Sequence, residues 1–369
     1  MPKATETVLE INLSSLEHNY NYLRSKIKAT TKFLAVVKAF AYGSDAVKIA
    51  QRLASIGVDY LAVAYTDEGV AIRKSGIKIP ILVLHPVPTN FDVLLDYNLE
   101  PNIYSTRMLQ LFLEHLEETQ TRNYPIHLKF NTGLNRLGFL EDDIDGVAAT
   151  LKQTNRVKVA SVLSHLAASE DHNEKDFTEK QITCFKEVIL RVDDALGYAP
   201  LKHLLNTSGL LNYPEAQFDM VRSGIGIYGF GNNEEYNKYL KPIASLKTII
   251  SQILKLEPNE SIGYNRGFTA TESRTVATLP IGHADGIGRI YGNQKGFVFV
   301  KDTKAPILGN TCMDMIMVDV THINCIEGDE VVVFNEIHTA DSLATAAGTI
   351  SYELITGISQ RVKRRYIEK

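Results

Sequence analysis

A chain of 369 residues is long for one ordinary domain and comfortable for two. Its hydrophobic content of 44% permits a large core, while a net charge of −4 offers no field suited to nucleic acid or an anionic membrane. No apolar run approaches the roughly 18 residues of a membrane span.

The opening MPKATETVLEINL lacks the apolar block of a secretory signal. Cys184, Cys312 and Cys325 are odd in number and show no paired metal-ligand spacing. The expectation is a cytoplasmic protein with no disulfide framework and no bound metal. The one basic cluster, Arg361 to Arg365, reads as a solvated or ion-paired terminal segment.

In chain order, strand candidates fall at 33–39, 60–65, 80–85, 100–105, 126–131, 157–166, 202–208 and 220–230. Most are short runs rich in Val, Ile and Leu, as strands buried on both faces require. Helical patterns lie between them. Ala46, Ile49, Ala50 and Leu53 form one apolar stripe, with Asp45 ahead as a cap and Gly57 behind as a stop. The stretch from Glu170 to Leu196 predicts a longer helix burying Phe177, Ile182, Phe185 and Ile189. Eight strands alternating with helices predict a (β/α)8 TIM-type barrel; an open doubly wound sheet is the competing arrangement.

After Gly231 the rhythm changes. Short strand candidates (ASLKTIISQILKLE, RTVATLPIG, GFVFV, PILG, MIMVDV, EVVVF) follow one another, with no helical pattern until about Ser342. This predicts a barrel over 1–235 and a mostly antiparallel β domain over 236–369. The opening residues are candidates for pairing into the β domain.

Catalytic groups of a barrel come from the C-terminal ends of its strands. Polar residues fall there on otherwise apolar strands: Lys38, His85, Arg136, His165, Asn206, Thr207, and Arg222 with Gly224. Lys38 is flanked by Ala35–Val37 and Ala39–Ala41. Apolar surroundings lower a lysine's pKa and free the amine to attack a carbonyl. Taken alone, Lys38 is equally a strand-end lysine reaching into solvent.

The run AVVKAFAYGSD (35–45) resembles the pyridoxal-phosphate attachment site of bacterial alanine racemases. Further segments resemble the family in the same order: HLKFNTGLNRLGF, SHLAASED, HLLNTSG, MVRSGIGIYG, SIGYNRGF, IGHADGIGR, APILGNTCMDMIMVDVT and SYELITGISQRVKRRY. Together they span nearly the whole chain.

The resemblance implies a fold-type III pyridoxal 5'-phosphate enzyme that interconverts L- and D-alanine with two acid–base groups. Lys38 carries the cofactor as a Schiff base and, once released, serves the face handling the D-enantiomer proton. Tyr264 serves the L face; without its motif it reads as a packed tyrosine. His165 and Arg222 are the family's candidates for cationic neighbours of that phenol.

By the same resemblance, which also carries the assignments that follow, Arg222 is implied to face the ring nitrogen, where related barrel decarboxylases place a carboxylate. Tyr42, Tyr352, Thr207 and the N–H groups of Gly224 and Ile225 hold the phosphate, with Asn206 and His165 also in the cofactor set. Arg136 meets the cofactor's phenolic oxygen and the substrate carboxylate, and the Met313 N–H meets that carboxylate too. Asp314 and His283 complete the substrate set. Lys129 matches a lysine carbamylated in some relatives. The family further implies a homodimer with shared sites and D-alanine supply for peptidoglycan, with no nucleic-acid or membrane partner.

The chain departs from the family pattern at several positions. Phe40 replaces an asparagine, Ser44 and Asp45 replace His-Gly, and Thr207 replaces a serine but keeps the hydroxyl. Asn131 stands for an aspartate beside Lys129. His283 replaces a tyrosine at the substrate entrance, which leaves serine or a broader substrate range open. Competing activities are a barrel decarboxylase, against which Arg222 argues, and a non-catalytic cofactor carrier, which resembles the barrel alone. A cofactor-free Schiff-base aldolase is the remaining alternative.

Overall fold

The computed structural model describes residues 6–368, which form two compact units. One comprises Glu17–Ala41 and Ala46–Leu240. The other comprises the segment up to Leu16, Tyr42–Asp45 and everything from Lys241.

Strand β1 (Val8–Asn12) belongs to the second unit. The next eight strands build the first: β2 (Lys32–Val36), β3 (Tyr60–Val63), β4 (Ile81–Val83), β5 (Glu100–Ile103), β6 (Tyr124–Lys129), β7 (Val157–Leu163), β8 (Leu201–His203) and β9 (Met220–Ser223). All are parallel, in the order β8-β7-β6-β5-β4-β3-β2-β9. The two ends approach where the Asp219 and Arg222 N–H groups donate to the Lys202 and Leu205 carbonyls at 3.1 and 3.0 Å. The result is a nearly closed TIM-type barrel, which rules out the open doubly wound sheet.

The strands lie where short apolar runs put them because both faces are covered. The helix Ala46–Ser55 buries Ala46, Ile49, Ala50 and Leu53, and Gly57 ends it at φ +90°. The long helix runs over Lys175–Leu196, and its buried stripe differs from expectation. Ile182 and Phe185 are buried with Val188 and Val192, whereas Phe177 is 39% exposed. A stripe extended back from Ile182 and Phe185 at helical spacing meets Thr178, not Phe177. The run 220–230, expected as one strand, stops at Ser223 and becomes a turn.

The second unit adds β10 (Ala244–Ile249), β11 (Gln252–Leu256), β12 (Ser261–Ile262), β13 (Phe268–Thr269), β14 (Arg274–Leu279), β15 (Phe297–Val300), β16 (Thr303–Leu308), β17 (Ile316–Asp319), β18 (Glu330–Phe334) and β19 (Lys363–Ile367). Its main sheet runs β11-β14-β17-β16-β15-β18-β10-β1-β19 and is antiparallel except between β1 and β19. The single strand expected from 244 to 257 is two, broken at Ile250–Ser251. The terminal basic cluster is ion-paired: Arg361 holds Asp285 and Asp314, each at 2.7 Å, and Arg365 holds Glu10. No described helix is long and apolar enough to cross a membrane.

Candidate active site

β2 delivers the chain to Lys38 and then reverses its handedness. Ala39, Phe40, Ala41 and Tyr42 have φ of 53°, 55°, 50° and 52°, a left-handed turn made without glycine. Each such residue costs about 1–2 kcal/mol, so something must hold them there. Glu68 is part of the answer: one carboxylate oxygen accepts the Ala39 N–H at 2.6 Å, and the other accepts those of Ala64 and Tyr65 at 2.7 and 3.2 Å.

In the second unit the turn's far end is held independently. The Gly43 carbonyl accepts two hydrogen bonds from Arg364, at 2.7 and 3.2 Å. A Cβ on Gly43 would lie 2.1 Å from the Ile355 carbonyl oxygen, and its φ is +81°. Gly43→Ala is therefore expected to cost about 2–4 kcal/mol, read as a lowered Tm. An unchanged Tm would show that this turn is not held as described.

Lys38, Lys129, Arg136, His165 and Arg222 act on one another electrostatically within the barrel unit. Burial and then the Arg136 charge lower the Lys38 pKa, with Glu68 opposing. Lys129 is 8% exposed. Burial first, then Arg136, Arg222 and Lys38, push its pKa from 10.5 to about 8.

Unfolding restores the ordinary Lys129 value, so between about 8 and 10.5 the unfolded chain holds the extra proton and stability rises with pH. Below that window both states are charged and the burial penalty is complete. In buffer freed of carbon dioxide, where the amine is unmodified, Lys129→Met is expected to flatten the rise in urea midpoint across that window. An identical slope in both proteins would refute the assignment.

Arg222 is 4% exposed and closely held. One terminal nitrogen donates to His203 Nδ1 at 2.8 Å and the His203 carbonyl at 3.0 Å. The other donates to the Ser164 and Leu204 carbonyls at 2.6 and 2.9 Å and to His165 Nδ1 at 3.0 Å. Its Nε–H has no acceptor among the described residues, which leaves one donor for a bound group. Burial lowers its pKa to about 9.

His165 is held well below its ordinary value, first by burial and then by Arg222. It is neutral, and cannot be the cationic neighbour expected beside a catalytic phenol.

The turn after β9 forms an anion cradle. Gly224 and Ile225 are buried, and their N–H groups have no acceptor among the described residues. Thr207 Oγ1 bonds Ser223 Oγ at 3.0 Å and accepts the Gly226 N–H at 3.3 Å. A Cβ at Gly226 would stand 2.6 Å from Thr207 Cγ2, so only glycine fits. Asn206 serves structure as an N-cap, its Oδ1 accepting from Gly209 N and Ser169 Oγ, each at 2.8 Å. His85 stacks on Tyr104 at 5.7 Å. Its Nδ1 has no partner among the described residues.

In the second unit, Tyr42 and Tyr352 place their rings 6.2 Å apart, and burial raises the Tyr42 pKa, with Tyr352 adding to the rise. Tyr264 is 75% exposed, on a turn where Asn265 and Arg266 are left-handed. Asn310 Nδ2 holds the Tyr264 carbonyl at 3.0 Å. The His283 and Ala284 N–H groups donate to the Cys312 and Met313 carbonyls at 2.9 and 3.0 Å, which fixes the His283 turn against Met313. Asp314 is engaged by Arg361, so its carboxylate orients this turn.

Glu68, Glu100, His127, Ser161 and His203 escape sequence reasoning. Glu68 carries a legible signal, an acid in the first turn of the helix Thr66–Lys74. The others are single polar residues whose partners lie on neighbouring strands.

The basic residues of the barrel mouth, the cradle's free N–H groups and the unpaired Arg222 Nε–H fit a phosphorylated heteroaromatic cofactor bearing an anionic substrate. Residues 11–231 match the family model of the alanine racemase N-terminal domain, and residues 243–366 that of the C-terminal domain. The chain is 36% identical to the alanine racemase of Halothermothrix orenii, over 98% of this chain and 97% of that protein. It is 35% identical to the alanine racemase of Thermodesulfovibrio yellowstonii, over 97% of each. The alanine racemase of Clostridium difficile 630 superposes with a TM-score of 0.92 at 34% identity, over 99% of this chain and 97% of that one. An alanine racemase from Bartonella henselae with covalently bound pyridoxal phosphate gives 0.90 at 26% identity, over 99% of this chain and 100% of that one. The chain belongs to the alanine racemase family of isomerases.

Proposed function

We propose that this protein interconverts L- and D-alanine with pyridoxal 5'-phosphate attached at Lys38. The observation that carries the reading is the left-handed turn, which presents Lys38 among Arg136, Lys129 and an Arg222 with one donor unspent. Lys38 Nζ would hold the cofactor covalently, with Thr207, Gly224, Ile225, Tyr42 and Tyr352 on its phosphate and the Arg222 Nε–H on its ring nitrogen. When bound, the cofactor supplies an electron sink that makes the substrate's α-proton removable.

The chain's own residues then divide the work. Lys38 Nζ carries the proton on one side of the substrate Cα, its lowered pKa making the neutral amine available. Tyr264 Oη carries the proton on the other. Arg222 stays protonated and donates without surrendering its proton, which keeps the ring nitrogen from becoming a full cation and disfavours transamination. Arg136 and the Met313 N–H orient the substrate carboxylate.

Lys129 bears on the same carboxylate. Among basic groups and with a pKa near 8, its neutral amine is poised to add carbon dioxide, releasing a proton and becoming an anionic carbamate that would steady Arg136. Asn131 is turned to its own loop, bonding Gly133, Asn135 N and Asn135 Oδ1. Labelled bicarbonate is expected to give a carbamate carbon resonance that Lys129→Ala abolishes; its persistence in the variant would refute the site.

The reading includes a homodimer sharing its sites, supported by the exposed Tyr264, Met313 and Met315. It also includes action in the cytoplasm and D-alanine supply for peptidoglycan. His283, exposed where the family pattern has a larger residue, favours testing serine as a second substrate.

Purified protein loaded with cofactor is expected to absorb near ~420 nm and to convert L-alanine to the racemic mixture. Absorption without any loss of optical rotation would leave a carrier. Carbon dioxide release would indicate a decarboxylase.

A further inference from the structure

Four hydrogen bonds join Arg222 to a carboxylate four strands away around the barrel. Arg222 donates to His203 Nδ1 at 2.8 Å, and His203 Nε2 meets Ser161 Oγ at 2.8 Å. Ser161 Oγ meets His127 Nδ1 at 2.6 Å, and His127 Nε2 meets Glu100 at 2.7 Å. The residues sit one per strand on β9, β8, β7, β6 and β5, five consecutive strands of the barrel. His127, Ser161 and His203 are each 0% exposed.

Proton counting fixes the direction at the Arg222 end, and one continuation carries it to Glu100 with a single proton on every link. A guanidinium has only donors, so His203 Nδ1 must accept. His203 is neutral, held well below its ordinary value first by burial and then by Arg222, so its single proton is on Nε2. Ser161 receives that proton's hydrogen bond and passes its own to His127 Nδ1. His127 then carries its proton on Nε2, facing the acceptor-only carboxylate of Glu100. Every link has one donor and one acceptor, with the cation at one end and the anion at the other. Reversing His203 would set two donors face to face at Arg222, and reversing His127 would set its bare Nε2 against the Glu100 carboxylate, two acceptors with no proton between them.

We propose that Glu100 is a positioning residue for Arg222, acting through His127, Ser161 and His203 to lock the guanidinium so that its Nε–H remains a fixed donor to the bound ring. Aligned donors polarise one another in a low-dielectric core, so the far carboxylate strengthens the hold on a buried cation it never touches. The functional part of this inference rests on the racemase reading; the proton order does not.

Two measurements on the holoenzyme test it. With isotope-labelled histidine, the nitrogen spectra of the unaltered protein are expected to show His127 and His203 as neutral rings protonated at Nε2. Protonation of either at Nδ1 overturns the proposal, even if the protein racemises alanine normally. The second measurement is a double-mutant cycle on kcat with Ser161→Ala and Glu100→Gln. Each single variant is expected to keep its cofactor and lose about fivefold in kcat, with KM little changed. Because both cut one path, the double variant should fall no further. Losses that multiply to about 25-fold, or no loss in either single variant, overturn the proposal. An unaltered protein inactive towards alanine but with the expected ring protons would sink the racemase reading alone.

Discussion

Lys38→Ala is expected to stay folded and lose racemisation by roughly 10³-fold or more. The side chain is surrounded by Arg136 and Lys129, both of which its charge repels. Removing it therefore relieves electrostatic strain, and the strands flanking it need no repacking. What disappears is chemistry. No other amine in the barrel unit sits on the left-handed turn that Glu68 clamps. The absorption near ~420 nm should vanish while cofactor still binds through the cradle of Thr207, Gly224 and Ile225. A small external amine should restore a trace of activity by taking the missing nitrogen's place. Racemisation within tenfold of the unaltered protein would remove Lys38 from the mechanism.

The barrel was legible because a strand covered on both faces must be written in Val, Ile and Leu, as Ile81–Val83 and Tyr60–Val63 are. Ends were less so. Gly224–Phe230 reads as strand because Ile225, Ile227 and Tyr228 are buried, yet they are buried in a turn where only the Gly224 and Ile225 N–H groups lack an acceptor among the described residues. The left-handed run after Lys38 had no local signal at all. Ala, Phe and Ala prefer right-handed backbone, and the conformation is imposed in part by Glu68, 29 residues away in sequence. β19 was hidden for a similar reason: a run of Lys and Arg becomes a strand only when β1 supplies its ladder and Glu10 its counter-charge. Local pattern records what a segment buries, whereas these features depend on what another segment offers.

The candidate site divides the same way. Lys38, Arg136 and Arg222 stood out as charges at apolar strand ends, but their protonation states could not be read until their neighbours were placed. His165 shows the difference. As a sequence position it is a candidate cation; in the barrel it accepts a hydrogen bond from Arg222, which forces the neutral form. The cationic role that the family pattern offers His165 therefore falls away in this chain.

Tyr264→Phe is expected to lower racemisation by about 10²–10⁴-fold, the usual contribution of one general acid–base group, while changing little else. The tyrosine is 75% exposed within its own chain, and its turn is secured through the backbone carbonyl by Asn310, which phenylalanine would leave in place. The loss should be one-sided. With Lys38 intact, D-alanine should still exchange its α-hydrogen with heavy water, whereas exchange from L-alanine should collapse. Equal slowing of both exchanges would mean that the phenol does not own one face of the substrate. Hybrids sharpen the test. If sites are shared between two copies, Lys38→Ala chains mixed with Tyr264→Phe chains should form one intact site per mixed dimer and recover part of the activity. Mixed dimers that form and remain inactive would show that the phenol acts within its own chain or not at all.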